Sequence, residues 1–383
     1  MTRGTVEERI QEAQIATLKL YSKFDKVLKD YSILRFYTNG VIKKFTAMIN
    51  QVLSMWSEVE FDIPGQNLGA IKKMVNQQLD NFRSTMPLEC SYDEIRDEVE
   101  NLLQTMKDKT GEFEKKVVLR LPGEETLEYR SNFNNDLELE INKLIVSGKI
   151  SRNFLNKLTN EILSPLQTYM NMPSNPMFPG VNLDAFPMVQ DMKNVASEFS
   201  GLLTDYKFYT TLRDQKESFN EQDFEMNEVV NQLIEKYTSI TMEKDIDLFY
   251  KIDKTLPEKV HASRVLLEKL MMFLLDNGLN ILSISNNLEP AIQEKLTLTV
   301  EVVKTENWRS TWRIAVEDSG IGFPTERLTD VYSFFSLYSE KDPFASLKLK
   351  MIEEMVDFLG GTLDLVHANG KTSFSVLLGV DLV

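Results

Sequence analysis

Apolar residues in the first half of the chain recur at steps of three and four. Between residues 10 and 56 the stripe is Tyr21, Phe24, Leu28, Tyr31, Leu34, Val41, Phe45, Met48, Val52 and Trp56. That spacing predicts one or two long amphipathic helices, with Asn39-Gly40 as the natural break between them. Pro64-Gly65 marks a connector over 61–69, and a further helix is expected over about 69–84. Ser91-x-x-Glu94 reads as a capping box opening a helix that runs to about Lys115. Residues 117–129 alternate around Pro122-Gly123 and predict a short hairpin. Helix returns over 133–147, with Gly148 as a C-cap.

The middle of the chain reads as a helical hairpin. Ser151 is positioned to cap a helix to about Met172, with Phe154, Leu155, Leu158, Ile162, Leu166 and Met170 on one seam. Pro165 lies inside it and is expected to kink it. A loop rich in Pro and Gly follows. A second helix over about 187–213 brings Val189, Met192, Ala196, Phe199, Leu203, Tyr206 and Tyr209 to one face. Alone, this pair would leave an apolar stripe uncovered, which predicts pairing with a second copy as a four-helix bundle.

After Phe224 the rhythm changes. Helices are expected at Met226 to Thr241, Ala262 to Leu282 and Leu347 to Leu359, the last stopped by Gly360-Gly361. Strands are expected at Asp247 to Asp253, 296–303, 308–316, 362–367 and 372–380. This mixed order implies a two-layer α/β sandwich, and for the whole chain an α+β class. Three parts follow: a helical sensory or partner-binding module (1–149), the hairpin (150–218) and the α/β domain (224–383).

Composition narrows the chemistry. The chain has 383 residues, with 43 Lys+Arg against 58 Asp+Glu and a formal charge of −15. That acidity argues against nucleic-acid binding, which needs a basic face. One cysteine, Cys90, excludes an intrachain disulfide and a cysteine-built zinc site, and two histidines exclude a histidine-rich metal site. The longest strongly apolar run, Leu270 to Leu275, is far below the roughly 20 residues that span a bilayer. The expectation is a cytoplasmic, reducing location, including the case of a soluble part of a longer membrane-anchored protein.

Four motifs stand in order in the C-terminal part: Leu274-Leu275-Asp276-Asn277-Gly278, Asp318-Ser319-Gly320-Ile321-Gly322, Phe334-Phe335, and Gly370-x-Thr372-x-Phe374. The set resembles the ATP-binding domain of sensor histidine kinases. Asn160-Glu161-Ile162-Leu163-Ser164-Pro165-Leu166 resembles that family's H-box, His-Glu-Ile-Arg-Thr-Pro-Leu. The resemblance covers about residues 150–383. It implies a two-component signalling protein with a dimerisation hairpin and a response regulator or partner kinase as its partner. It also implies ATP and Mg²⁺ as ligands, with Asn277 on the metal, Asp318 on the adenine amino group, Gly320 and Gly322 allowing close backbone approach, and Thr372 on the adenine side.

The pattern also departs from the family. Asn160 replaces the phosphoacceptor histidine, and a carboxamide nitrogen is no nucleophile at neutral pH. Glu161, the family's base beside the nucleophile, is left as a solvated helix-face carboxylate. Phe273 stands where a second polar Asn is common, and Asn280 where a Lys is common. Phe344-Ala345-Ser346-Leu347-Lys348-Leu349 replaces a glycine-rich lid turn. Losing two or three charge-assisted hydrogen bonds, at about 1.5–3 kcal/mol each, would weaken ATP binding by roughly two to six orders of magnitude. Lys348 would offset part of that as a point charge. The expected function is a pseudokinase that acts by dimerisation and partner binding. The alternatives are an active sensor kinase, which would need His261 or His367 as acceptor, and an ATP-gated switch without phosphotransfer.

Overall fold

The computed structural model describes residues 5–58, 89–118, 123–170, 187–214, 219–286, 294–320, 344–368 and 371–383, with a few isolated positions between 73 and 87. The expected connector 61–69 and the loop after Met172 lie outside the described residues. So do Gly322 and Phe334-Phe335. Within the expected 69–84 helix, Lys73, Gln77, Asp80 and Ser84 are described and helical.

The chain divides into two compact units. One holds the residues up to Tyr206, together with Phe344, and the other the remainder from Lys207. The first unit is built from α1 (Val6–Glu58), α2 (Tyr92–Val118), α3 (Gly123–Met170) and the part of α4 (Pro187–Asp214) up to Tyr206. The Ser91 capping box forms as expected. The Ser91 N–H donates to Glu94 Oε2 at 2.7 Å, and the Glu94 N–H donates to Ser91 Oγ at 3.1 Å.

Three local expectations are corrected. α1 runs unbroken through Asn39-Gly40. Nearly every side chain from Tyr31 to Ile42 is buried, because other helices surround this stretch, and such packing overrides a weak local breaker. Asn39 Oδ1 is used there to accept the Cys90 N–H at 3.1 Å. Within the expected hairpin at 117–129 the described residues are helical: Val117 and Val118 end α2, and Thr126 to Tyr129 lie in α3. Tyr129 and Phe133 stack on Phe113, so these residues serve a helix–helix seam. Gly148 and Ser151 cap nothing. Both are buried inside the single helix α3, which continues through Pro165 to Met170. Its buried positions, Phe133, Leu137, Ile141, Leu144, Gly148, Ser151, Leu155 and Leu158, step by three and four without interruption.

The contacts fix the directions. Thr17 Oγ1 donates to Asn134 Oδ1 at 2.8 Å, and a Cβ added at Gly148 would lie 3.9 Å from the Tyr31 ring. Both pairs are 117 residues apart in sequence, so α1 and α3 run parallel. α2 runs antiparallel to α1, since Tyr21 meets Thr110 and Tyr31 meets Glu98. α4 is also antiparallel to α1: Phe45 stacks on Phe199 and Tyr37 on Tyr206. Of the hairpin's stripe, Leu155 and Leu158 of α3 and Ala196, Phe199, Leu203 and Tyr206 of α4 are buried within the chain, with α1 against Phe199 and Tyr206.

The second unit is a seven-stranded sheet with three described helices. The elements are β1 (Gln222–Glu225), α5 (Met226–Glu243), β2 (Asp247–Ile252), β3 (Lys259–Ala262), α6 (Arg264–Asn286), β4 (Lys295–Glu306), β5 (Arg309–Asp318), α7 (Ala345–Phe358), β6 (Thr362–Ala368) and β7 (Lys371–Leu382). Strand order is β1-β3-β7-β5-β4-β2, with β6 also on β7. Only β2–β4 is parallel among the described pairs. The expected helices and five strands are present. β1 and β3 were not anticipated, since four residues carry too little alternation to read.

Alternation places one sheet face in the core. Leu296, Leu298 and Val300 of β4 are buried, as are Trp312, Ile314 and Val316 of β5 and Phe374, Val376 and Leu378 of β7. The opposite face carries the cross-strand ion pair Glu301–Arg313 at 3.1 Å. α6 lies close on the core face. A Cβ at Gly278 would come within 2.5 Å of Leu296 Cδ1 and 3.2 Å of Val316 Cγ1, so this glycine sets the helix-to-sheet distance. α7 ends as expected at Gly360-Gly361. Gly360 has φ +64°, and the Gly361 N–H donates to the Val356 carbonyl at 2.9 Å, the bond of a Schellman cap.

Candidate functional site

The end of β5 carries Asp318, flanked in register by Leu296 of β4 and Thr372 of β7. Asp318 is 1% exposed and Thr372 fully buried. The alternation that buries Trp312, Ile314 and Val316 carries Asp318 into the same interior, so a carboxyl ends an otherwise apolar row. Its Oδ1 accepts the Gly320 N–H at 3.0 Å, closing a short turn. The turn is tied to β4 by two more bonds: Ser319 N–H to the Lys295 carbonyl at 3.0 Å, and Lys295 N–H to Ser319 Oγ at 2.8 Å. Asp318 Oδ2 is buried and has no hydrogen-bond partner. Burial is the main reason its pKa is pushed up to about 7. The Gly320 N–H pulls the other way, and the charge of Glu317 adds to the rise.

Asn277 lies on α6, one residue before the glycine that rests on Val316, and Val316 is two residues before Asp318. It is 4% exposed, and its Nδ2 is buried without a partner. A buried polar group left unsatisfied costs about 1–3 kcal/mol. Two such groups therefore stand at neighbouring points of one helix–sheet junction. Asp318 Oδ2 needs a donor and Asn277 Nδ2 an acceptor.

The expected residues divide accordingly. Asp318 and Thr372 are brought together by strand register, and Asn277 is held on the adjoining helix. Phe273, one turn before Asn277, is core: it meets Phe208 edge-on at 6.2 Å, with the Lys269 ammonium 5.4 Å from its ring centroid. Asn280 is half-buried. In place of the glycine-rich turn, helix α7 begins at Ala345, with Leu347 and Leu349 buried. Lys348 is engaged: its Nζ lies 3.4 Å from Asp276 Oδ2. Asp276 Oδ1 in turn accepts the Tyr237 hydroxyl at 2.6 Å. Burial, and then the charge of Asp276, raises the pKa of that phenol, so it stays a donor. This Tyr237–Asp276–Lys348 chain was missed by sequence reasoning. Its only sequence signal was an Asp beside Asn277.

Asn160 and Glu161 are both exposed on α3, in the helical unit. His261 lies on β3 at the surface, its Nδ1 2.6 Å from Asp223 Oδ1. The side-chain hydrogen bond to Asp223 raises its pKa. Among the described residues, no group of three or more His, Cys, Asp or Glu is placed to hold a metal ion. No described helix is long and apolar enough to cross a membrane.

The donor that Asp318 Oδ2 lacks and the acceptor that Asn277 Nδ2 lacks are both groups that a nucleotide carries. An exocyclic amino group would supply the donor that Asp318 Oδ2 lacks. A Mg²⁺ ion would engage only the oxygen of Asn277, leaving Nδ2 for an acceptor such as a phosphate oxygen.

No family model matches the chain. Curated relatives do. The hybrid signal transduction protein dokA of Dictyostelium discoideum is 20% identical over 230 residues, 57% of this chain and 13% of dokA. The autoinducer 2 sensor kinase/phosphatase LuxQ of Vibrio vulnificus is 22% identical over 222 residues, 57% of this chain and 25% of LuxQ. Among solved structures, full-length ShkA in complex with AMPPNP aligns with a TM-score of 0.45 at 16% identity, over 60% of this chain and 46% of that one. The chain thus spans a quarter or less of the length of these two curated relatives. The chain is similar in sequence to a hybrid signal transduction protein and to a sensor kinase/phosphatase, and its described residues have an α+β architecture.

Proposed function

We propose that this chain is a two-component signalling protein that has lost autophosphorylation and retains a weak adenine-nucleotide site at the α6–β5 junction. One observation carries the reading: Asn160, at the phosphoacceptor position, is an exposed carboxamide, whereas Asp318 Oδ2 and Asn277 Nδ2 are buried and unpartnered. Asp318 and Thr372 would hold the adenine edge, and Gly320 would let the ligand approach the backbone. Asn277 would contribute its oxygen to a Mg²⁺ ion and its NH₂ to phosphate. ATP would supply charge and a gating signal rather than a transferred group. The output would be partner binding, to a response regulator or a partner kinase, in a cytoplasmic setting, as a separate chain or as the soluble part of a membrane-anchored protein. The two unsatisfied groups also favour the related reading of an ATP-gated switch.

Calorimetric titration with Mg²⁺-ATP tests the site. Weak but saturable binding is expected, reduced about tenfold or more in Asp318→Ala, which removes an acceptor worth about 1.5–3 kcal/mol to a bound donor. No binding at millimolar ATP would remove the nucleotide from the proposal. Incubation with γ-labelled ATP tests the chemistry. No acid-labile phosphate is expected on the protein, and its appearance would make the chain an active kinase.

A further inference from the structure

Cys90, the chain's only cysteine, stands immediately before the Ser91 capping box that opens α2. It is half-buried and carries a free thiol. Tyr31, Arg35 and Asn39 of α1 recur at every fourth position and share the helix face that meets this corner. Arg35 Nη2 donates to Cys90 Sγ at 3.1 Å. The same guanidinium is paired with Glu98 of α2, its Nε 3.9 Å from Oε2, and the Tyr31 hydroxyl donates to Glu98 Oε1 at 2.5 Å. Phe36 stacks on Tyr92 at 6.2 Å between ring centroids, which keeps the start of α2 on this stretch of α1.

Asn39 adds the observation that points to a ligand. It is 2% exposed, and its Oδ1 accepts the Cys90 N–H at 3.1 Å. Its Nδ2, bonded to the same carbon, is buried and has no hydrogen-bond partner. A buried donor without an acceptor is a standing cost to the fold. A thiol does little to relieve it, since sulfur is a weak acceptor and Cys90 Sγ already receives Arg35. An oxygen carried on that sulfur would be a strong acceptor. Two donors thus stand at one cysteine, and one of them lacks an acceptor.

We propose that Cys90 is a site of reversible oxidation by hydrogen peroxide, and that Arg35 and Asn39 hold the sulfenic acid formed there. The sulfur lone pair attacks one peroxide oxygen. An S–O bond forms as the O–O bond breaks, so sulfur is oxidised and peroxide reduced. The departing oxygen takes the thiol proton and leaves as water. The new oxygen accepts from Asn39 Nδ2 and from Arg35. With no second cysteine in the chain, the sulfenic acid has no intrachain thiol to condense with and lasts until an external thiol reduces it. Oxidation then ties the start of α2 more firmly to α1 and gives the helical unit a chemical input of its own. This inference does not depend on the nucleotide reading.

Treatment of the full chain with hydrogen peroxide tests it. Dimedone trapping and mass spectrometry are expected to find the sulfenic adduct on Cys90. The thermal midpoint of the untrapped, peroxide-treated protein should rise by about 2–4 °C and return to its starting value with dithiothreitol. The same treatment should leave Cys90→Ser without a rise, which controls for methionine oxidation. The rise should be smaller in Arg35→Met, at a half-buried position beside the core. No adduct on Cys90, or a midpoint unchanged or lowered by peroxide, would overturn the proposal. A rise that persists in Cys90→Ser, or is undiminished in Arg35→Met, would overturn it too, because the product would then not be held as described.

Discussion

Positions 160 and 318 stand at opposite extremes of the same resemblance. At 160 the helix presents an Asn to solvent, next to an exposed Glu161. Neither residue is needed to hold α3, whose seam lies on Leu155, Leu158 and Leu163. At 318 a carboxyl is enclosed by two neighbouring strands, with one oxygen committed to Gly320 and the other to nothing. A surface position can change its chemistry without structural consequence. A buried polar position carries a continuing free-energy cost, which a ligand would offset. The difference teaches where to look for retained function: at groups that are expensive to keep, not at those that are free to change.

The largest effect expected from this contrast is in the pH dependence of stability. Asp318 titrates near its ordinary 3.8 when unfolded and at about 7 when folded. The folded state therefore binds the extra proton between these values. Stability from this group is fully present below about pH 4 and is lost as pH rises through 7, by on the order of 4 kcal/mol. Chemical denaturation of Asp318→Asn, compared with the parent across pH 4–8, is expected to flatten that slope. An unchanged slope would mean that Asp318 is not the buried acid described above.

A smaller effect is expected at the neighbouring helix. Gly278→Val forces α6 away from Leu296 and Val316 and should destabilise the sheet unit by about 1–3 kcal/mol. It should also weaken nucleotide binding, because Asn277 moves with the helix. A thermal midpoint equal to the parent's would show that the helix-to-sheet distance is not set there. The smallest effect is expected at the exposed end of the comparison. Asn160→Ala should change stability by no more than about 0.5 kcal/mol and leave nucleotide affinity unchanged. A larger loss in denaturant titration would assign position 160 a structural role and weaken the contrast.

The α/β unit was legible because its strands alternate and its helices end on strong punctuation. The Leu347 helix stopped at Gly360-Gly361 as read, since only a residue that tolerates φ +64° fits that cap. Asp318, Asn277 and Thr372 were singled out through ordered motifs, and the structure buries all three. The Tyr237–Asp276–Lys348 chain was not, because its members lie on three helices far apart in sequence. In the helical unit the periodicity was right and the punctuation misled. Asn39-Gly40, Gly148 and Ser151 are local signals of about 1 kcal/mol, and here long seams outweigh them.

The sequence by itself determined which residues are apolar on which face, and that position 160 carries no nucleophile. It also placed an Asp at the end of a buried strand. Those properties follow from side-chain chemistry and local period. Only the tertiary structure decided what each face meets. It placed α1 parallel to α3 and against Phe199 and Tyr206 of the hairpin's stripe, and it left Asp318 Oδ2 and Asn277 Nδ2 without partners. An apolar period states that a face must be covered and is silent on what covers it, because hydrophobic burial is proportional to area and has no direction of its own.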